Sequence, residues 1–408
     1  MRVPVSDEMR SEPFSDRAAA LARKCVHCGF CNATCPTYQL TGDELEGPRG
    51  RIYLIKSYLE DGVISEHSRR HLDQCLLCRS CETTCPSGVS YGELIDLVRP
   101  EVQRRTAHAL VPALKKWFLL RTVPHRRRFA MAAALGRVFK FVLPRGLKKT
   151  LSLNTTPAGA TQTIAADSQR RVILLGGCAQ PALNPGIDFS AAHVFSRLGI
   201  ELVEVPSSGC CGALSNHLGE TEAAAAFARN NIDAWWSHIE AGADAVVSTS
   251  SGCGVELKEY GRLLADDADY AERAAQVAEL CRDPLELLSP EDMKPYVQPP
   301  ESLRIAVQAP CSLQHGHKLS GRLEQVLTEL GFSVTVPPES HLCCGSAGSY
   351  SVLHPATADA LRTRKLGHLE AGRPDVIVTA NIGCQTHLAA EASVPVKHWL
   401  EFLAPYLC

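Results

Sequence analysis

The sequence predicts a multidomain α+β protein, in which a helical N-terminal domain is followed by a duplicated α/β domain with parallel-sheet character. Three observations point there. A tight cysteine motif, C-x2-C-x2-C-x3-C-P, is written twice near the amino end. A wider cysteine pattern is written twice in the C-terminal part, and the apolar and helical runs around it alternate in a rhythm that also occurs twice.

A chain of 408 residues has room for two or three hydrophobic cores. With 45% apolar residues, 21% charged residues and a net charge of -2, it has no whole-chain bias toward nucleic acid. The 18 cysteines are the unusual feature. Disulfide frameworks belong to short secreted chains, whereas this one is long and starts with acids among its first residues, without the basic start and apolar core of a signal peptide. A reducing, cytoplasmic setting is therefore expected. No run approaches 18 uncharged apolar residues, so membrane contact is expected to be peripheral or through a partner.

Taken in order, residues 1–100 hold the first repeat: CVHCGFCNATCP from Cys25 and CLLCRSCETTCP from Cys75, with every cysteine recurring after 50 positions. Arg51 to Glu60 and Glu66 to Gln74 have helical character and join the two motifs. Residues 101–168 form a basic amphipathic segment and a linker. The segment 101–149 carries thirteen Lys or Arg and one acid, Glu101, among apolar residues such as Trp117, Phe118 and Phe129. It reads either as a surface for a partner or for anionic headgroups, or as a solvated helical pair packed on its own domain. Residues 150–168 are small and polar.

The two repeats of the C-terminal half are expected over 169–295 and 296–408. Strand-like runs RVILLGG, ELVEV and DAVVSTS, then RIAVQAP, SVTVP and DVIVTA, alternate with helical runs such as Glu222 to Ile239 and Leu323 to Leu330. Cys178, Cys210-Cys211-Gly212 and Cys253 are echoed by Cys311, Cys343-Cys344-Gly345 and Cys384, at offsets of 133, 133 and 131. Each cysteine follows a strand. Groups beyond the carboxyl ends of parallel strands converge, so the four cysteines of each repeat are expected to meet.

The tight motif presents three thiolates to one iron-sulfur cube, and in two-cluster ferredoxins its fourth cysteine reaches the other cube. Cys25, Cys28, Cys31 and Cys85 are thus expected at one [4Fe-4S] cluster, and Cys75, Cys78, Cys81 and Cys35 at a second. Pro36 and Pro86 would turn the chain away. A zinc site would leave the third C-x2 step and the trailing x3-Pro without a purpose. The wider pattern is more open: four thiolates per repeat suit one further iron-sulfur cluster or one zinc, while structural thiols are the alternative. Cys281 and Cys408 belong to no repeat.

GPRGR at Gly47 to Arg51 reads as a solvated turn, with the alternative that Arg49 and Arg51 sit near a cluster. His27, His341, His387, His315 and His317 read as ordinary surface or supporting residues. No G-x-G-x-x-G after a strand, P-loop or nucleophile elbow is present, so no flavin, nicotinamide or nucleotide site of the chain's own is expected.

With these motifs in view, the chain resembles the family of bacterial glycolate oxidase iron-sulfur subunits, nearly throughout. The resemblance lies in CVHCGFCNATCPTYQLTGDELEGPRGRIYLIK, NNIDAWW at Asn230, HLCCGSAGSY at His341 and TANIGCQTHL at Thr379. It implies an electron-transfer subunit without catalytic residues of its own, inactive alone. A partner FAD subunit would oxidise glycolate to glyoxylate, beside a second, flavoprotein-like subunit. Electrons would go on to a quinone or other acceptor, with the chain held peripherally at the inner membrane. Subunits of lactate and anaerobic glycerol-3-phosphate dehydrogenases share the architecture and are the nearest alternative. A reductase acting on thiols or disulfides through its own CCG cysteines is the alternative of another class. In the related heterodisulfide reductase the cysteine-rich domain ends in C-x-x-C and holds a noncubane cluster. Here the first position of that pair is Ser250 in one repeat and Asn381 in the other, which removes the noncubane signature and leaves four thiolates per repeat.

Overall fold

The structure, a computed structural model, describes residues 1–106, 110–139, 141 and 170–408. The linker expected over 150–168 lies outside the described residues. The N-terminal part is helical for local reasons. Helix Pro48–Asp61 opens on a proline, whose φ is preset and whose missing N–H costs nothing in the first turn. It closes at Gly62 (φ 72), whose N–H reaches the Tyr58 carbonyl. Ile52, Ile55, Tyr58 and Leu59 recur at helical spacing and are buried, as are Leu94, Ile95, Val98 and Val102 of helix Tyr91–Arg105. They close on Met9, Leu21 and Leu72 in one core, at roughly 1.5–3 kcal/mol for each large side chain. That core clamps the two cysteine loops between its helices.

One expectation fails here. GPRGR is no solvated turn: Pro48, Arg49, Gly50 and Arg51 form the first turn of the helix, and Arg51 is 1% exposed. The guanidinium tolerates burial because Glu46 pairs with it at 2.7 Å, while it donates to the His71 carbonyl (2.7 Å) and Thr37 Oγ1 (3.2 Å).

The C-terminal half contains two four-stranded parallel sheets. The first runs β2-β1-β3-β4, from β1 (Arg170–Leu174), β2 (Ile200–Glu204), β3 (Ala245–Val247) and β4 (Cys281–Arg282). The second runs β6-β5-β7-β8, from β5 (Arg304–Gln308), β6 (Ser333–Thr335), β7 (Val376–Thr379) and β8 (Val396–His398). Val172 pairs with Leu202 on one side and Ala245 on the other; Ala306 pairs with Thr335 and Ile377. The central strands are apolar throughout because both faces are covered. Val172, Leu174, Ala245 and Val247 face Ile305, Val307, Val376 and Val378 across one shared core, while Ile173 and Val246, or Ala306 and Ile377, pack outward under helices. β4 and β8 were not among the expected strands, since two or three residues carry no readable period. Cys281, which belongs to neither cysteine repeat, lies buried in β4.

Two buried histidines stitch the repeats together: His317 Nε2 donates to the Ser251 carbonyl (3.1 Å) and His398 Nε2 to that of Thr249 (2.8 Å). The N-terminal part docks on both repeats. Arg79 pairs with Glu259 (2.6 Å) and Asp96 with Arg262 (3.0 Å) on the first; Thr83 meets His315 (2.9 Å) and the Tyr350 hydroxyl bonds Gln74 Oε1 (2.9 Å) on the second. The described part of the basic segment contains helices Leu110–Thr122 and Arg126–Val138.

Candidate metal centres

The two tight motifs fold into loops of matching backbone. His27 and Leu77 take left-handed φ values of 57° and 54°, and Gly29 and Arg79 take 84° and 59°. Each loop thereby curls around a hollow. Cys25, Cys28, Cys31 and Cys85 line one hollow, whereas Cys35, Cys75, Cys78 and Cys81 line the other, with Cys81 reaching the edge of the first. The fourth cysteine of each motif has crossed to the other loop's hollow. Pro36 makes that possible by starting helix Pro36–Thr41 at once, so Cys35 stays in extended backbone at the helix entrance. Burial pushes the Cys31 thiol up to about 11 and those of Cys78 and Cys81 well above the ordinary range.

An arginine attends each hollow, in different surroundings. Arg49 lines the first and grips Glu44 with two bonds, Nε–Oε1 2.5 Å and Nη2–Oε2 2.9 Å, at a partly exposed site. Arg51 lines the second and is fully enclosed. The loops themselves differ likewise. Val26 and Phe30 of the first are 64% and 61% exposed, while Leu76 and Ser80, fifty positions later, are 6% and 1% exposed beneath the second repeat.

In the C-terminal half the structure gathers the wider-spaced cysteines as the strand order demands. Cys311 and Cys343 approach to 3.9 Å between sulfurs, and Cys344 and Cys384 to 3.2 Å. In the first repeat Cys210 lies within hydrogen-bond reach of Cys178, and Cys211 of Cys253. The glycine of each CCG triplet is required by geometry. Gly212 and Gly345 have φ of 93° and 92°, and a Cβ would come within 3.1 Å of the Ala224 carbonyl oxygen or 2.5 Å of that of Ala358. Ser250 and Asn381 stand at helix N-caps. Asn381 Oδ1 accepts from the N–H groups of Gly383 (2.8 Å) and Cys384 (3.4 Å), aiming the helix that carries Cys384.

The donor chemistry of the N-terminal pair is all sulfur, spread around hollows. Among the described residues, no three His, Cys, Asp or Glu side chains gather tightly enough to ligate a single ion. Such an arrangement fits a polynuclear cluster better than one zinc. Residues 21–89 match the family described as a 4Fe-4S dicluster domain, and 172–258 and 305–389 match the one described as a cysteine-rich domain. The chain is 47% identical over 403 residues to the glycolate oxidase iron-sulfur subunit of Escherichia coli (strain K12), covering 99% of this chain and 98% of that one. The chain belongs to the glycolate oxidase iron-sulfur subunit family. The probable glycolate oxidase iron-sulfur subunit of Bacillus subtilis (strain 168) is 30% identical over 388 residues, covering 88% of this chain and 86% of the relative. Lactate utilization protein A of Shouchella clausii is more distant, 27% identical over 57% of this chain and 98% of its own length. Like other members of the glycolate oxidase branch, this chain is an iron-sulfur electron-transfer subunit, and its cofactors include two [4Fe-4S] clusters.

Sequence reasoning offered Arg51 only as the alternative to a solvated turn, and it missed Lys365, which lies buried in helix Pro355–Glu370.

Proposed function

We propose that this chain carries electrons out of a glycolate-oxidising complex, with Cys25, Cys28, Cys31 and Cys85 holding one cluster and Cys75, Cys78, Cys81 and Cys35 the other. The single observation that carries this reading is the crossed lining of the two hollows by the fourth cysteines. When bound, a [4Fe-4S] cluster accepts or releases one electron at a time, which divides the two-electron output of a flavin into single steps. The chain's own residues set the surroundings. Arg49 and Arg51 favour the more negative, reduced state, and the second repeat covers the loop of the second hollow at Leu76.

The exposed Val26 and Phe30 beside Cys28 are the face on which the FAD-containing, glycolate-oxidising subunit docks, next to the first hollow. A second flavoprotein-like subunit and a quinone or other membrane acceptor complete the path. Peripheral attachment at the inner membrane is supported by helices Leu110–Thr122 and Arg126–Val138. Between 110 and 139 they carry seven Lys or Arg and no acid, together with exposed Leu114, Trp117, Phe118, Met131 and Leu135. Cations bind anionic headgroups while the aromatic and aliphatic groups enter the interface. No helix among the described residues is long and apolar enough to cross a membrane.

The test is anaerobic. The chain co-purified with its flavoprotein partner should contain at least about eight irons and show reduced-cluster electron paramagnetic resonance (EPR) signals on adding glycolate. Signals that appear with lactate or glycerol 3-phosphate instead would transfer the reading to those dehydrogenases. Sedimentation with anionic but not neutral vesicles, abolished by Trp117→Glu with Phe118→Glu, checks the attachment.

A further inference from the structure

We infer that a cavity beside the second cysteine loop is the site at which this chain reduces a quinone, with His354 and His217 as the groups that meet its two oxygens. The inference rests on the electron-transfer reading above and gives its acceptor a place. The first support is position. A cavity of about 440 Å³, within the usual range of small-molecule sites, lies between the N-terminal part, helix Leu110–Thr122 and both repeats. Cys75, Leu76 and Leu77 of the second loop line it, so a ring seated there touches the loop that holds the proposed cluster. Pro112, Ala113 and Lys116 of the amphipathic helix also line it, and that helix carries the exposed Leu114, Trp117 and Phe118 proposed above to enter the membrane interface. The cavity thus joins the cluster loop to the phase in which a quinone, an apolar ring on an isoprenoid tail, is dissolved.

The second support is the chemistry of the lining. The stretches that follow both CCG triplets enter the cavity, bringing His217 and Leu218 from the first repeat and Leu353 and His354 from the second. Cations of the lining are answered by acids: Arg69 pairs with Asp73 (2.9 Å) and Lys116 with Glu220 (3.2 Å). With Leu76, Leu77, Leu218 and Leu353 between them, the walls suit a neutral ring with polar edges better than an anion. Arg99, 7% exposed, donates from Nη2 to the carbonyls of Leu72 (2.8 Å) and Cys75 (3.2 Å) and from Nη1 to that of His217 (3.5 Å). It ties the cluster loop to the histidine wall, and its charge favours an electron-rich ring.

The third support is a supply of protons from two sides. Among the described residues the His354 ring makes no hydrogen bond; it packs on that of Tyr350, 4.6 Å between centroids, which leaves its nitrogens for a ligand. His217 Nε2 stands 4.0 Å from the carboxyl of Glu256, which is 3% exposed. Burial holds that carboxyl up to about 8, so it carries a proton at neutral pH. The step balances. Two electrons pass singly from the second N-terminal cluster, which is oxidised each time, and two protons drawn from water through the histidines turn both C=O groups of the quinone into C–OH, giving the quinol.

The experiment uses the full chain in complex with its flavoprotein partner, kept anaerobic, and decylubiquinone as the probe. Wild type should bind the probe in a calorimetric titration and reduce it when glycolate is added. Ala113→Trp, made at an exposed position of the lining, should weaken binding and raise the KM for the probe about tenfold or more. His354→Gln should lower kcat with the probe by roughly a hundredfold and leave KM nearly unchanged. In both variants glycolate should still produce both reduced-cluster EPR signals. A wild type whose clusters are reduced by glycolate but which neither binds nor reduces the probe, or variants that bind and reduce it as wild type does, would overturn this inference alone. Clusters that glycolate leaves oxidised in the wild type would instead sink the reading beneath it.

Discussion

The first and second cysteine loops share a motif and a backbone path, yet one faces outward and the other inward. Val26 and Phe30 stand bare beside the first hollow, whereas Leu76 and Ser80 at the same positions are roofed by the second repeat. Arg49 is partly wet and Arg51 is sealed. The comparison teaches that a duplicated ligand motif specifies what is bound, while the packing around each copy specifies who can reach it. An open first site suits exchange with a partner, and a covered second site suits hand-over within the chain.

The largest effect should come from the crossed cysteines. Cys85→Ser should abolish the cluster whose other ligands come from the first loop, and Cys35→Ser the one from the second, each removing about half of the N-terminal iron. If Cys85→Ser instead erased the second loop's EPR signal, the crossed assignment would be wrong.

Next, the same insult should have opposite consequences on the two loops. Leu76→Glu buries a charge under the roof and should cost roughly 3–5 kcal/mol in chemical denaturation. Val26→Glu and Phe30→Glu should leave stability within about 0.5 kcal/mol but weaken flavoprotein binding tenfold or more, read by titration of the holo-subunit. Equal destabilisation on both loops would erase the contrast.

Acid should loosen the joint between the two repeats before the open site is affected. Burial holds the imidazoles of His317 and His398 neutral, pushing each down to about 4. In the unfolded chain they take up protons near 6.5, so the stability they supply is complete above that pH. It is lost as pH falls from 6.5 toward 4, by up to about 3 kcal/mol each. Melting temperature followed from pH 7.5 to 4.5 should show this slope, and His398→Gln should flatten part of it. A profile unchanged by that substitution would remove His398 from the stitching between the repeats.

The last contrast, on the two arginines, sets a large cost beside the smallest expected. Arg51→Met strips a buried partner from Glu46 and should cost roughly 3–5 kcal/mol and lower the second cluster's potential. Arg49→Met should cost about 1 kcal/mol or less, since Glu44 is left in water. Thermal melts with EPR redox titration give both readings.

Much of this was readable in one dimension. The C-x2-C-x2-C-x3-C-P spacing determines the two loops and their eight sulfurs because three ligands three residues apart can only curl around a common centre. The apolar runs from Arg170 to Leu174 and from Arg304 to Gln308 declare buried parallel strands, since only strands covered on both faces lack alternation. What the tertiary structure alone decided is neighbourhood: which loop is roofed, that the Lys365 ammonium is buried against the Glu339 and Ser340 carbonyls, that Arg51 is sealed rather than solvated. A charge on a helix reads as solvent-facing until another element is laid over it, and that covering is made by residues hundreds of positions away, whose approach no local pattern records.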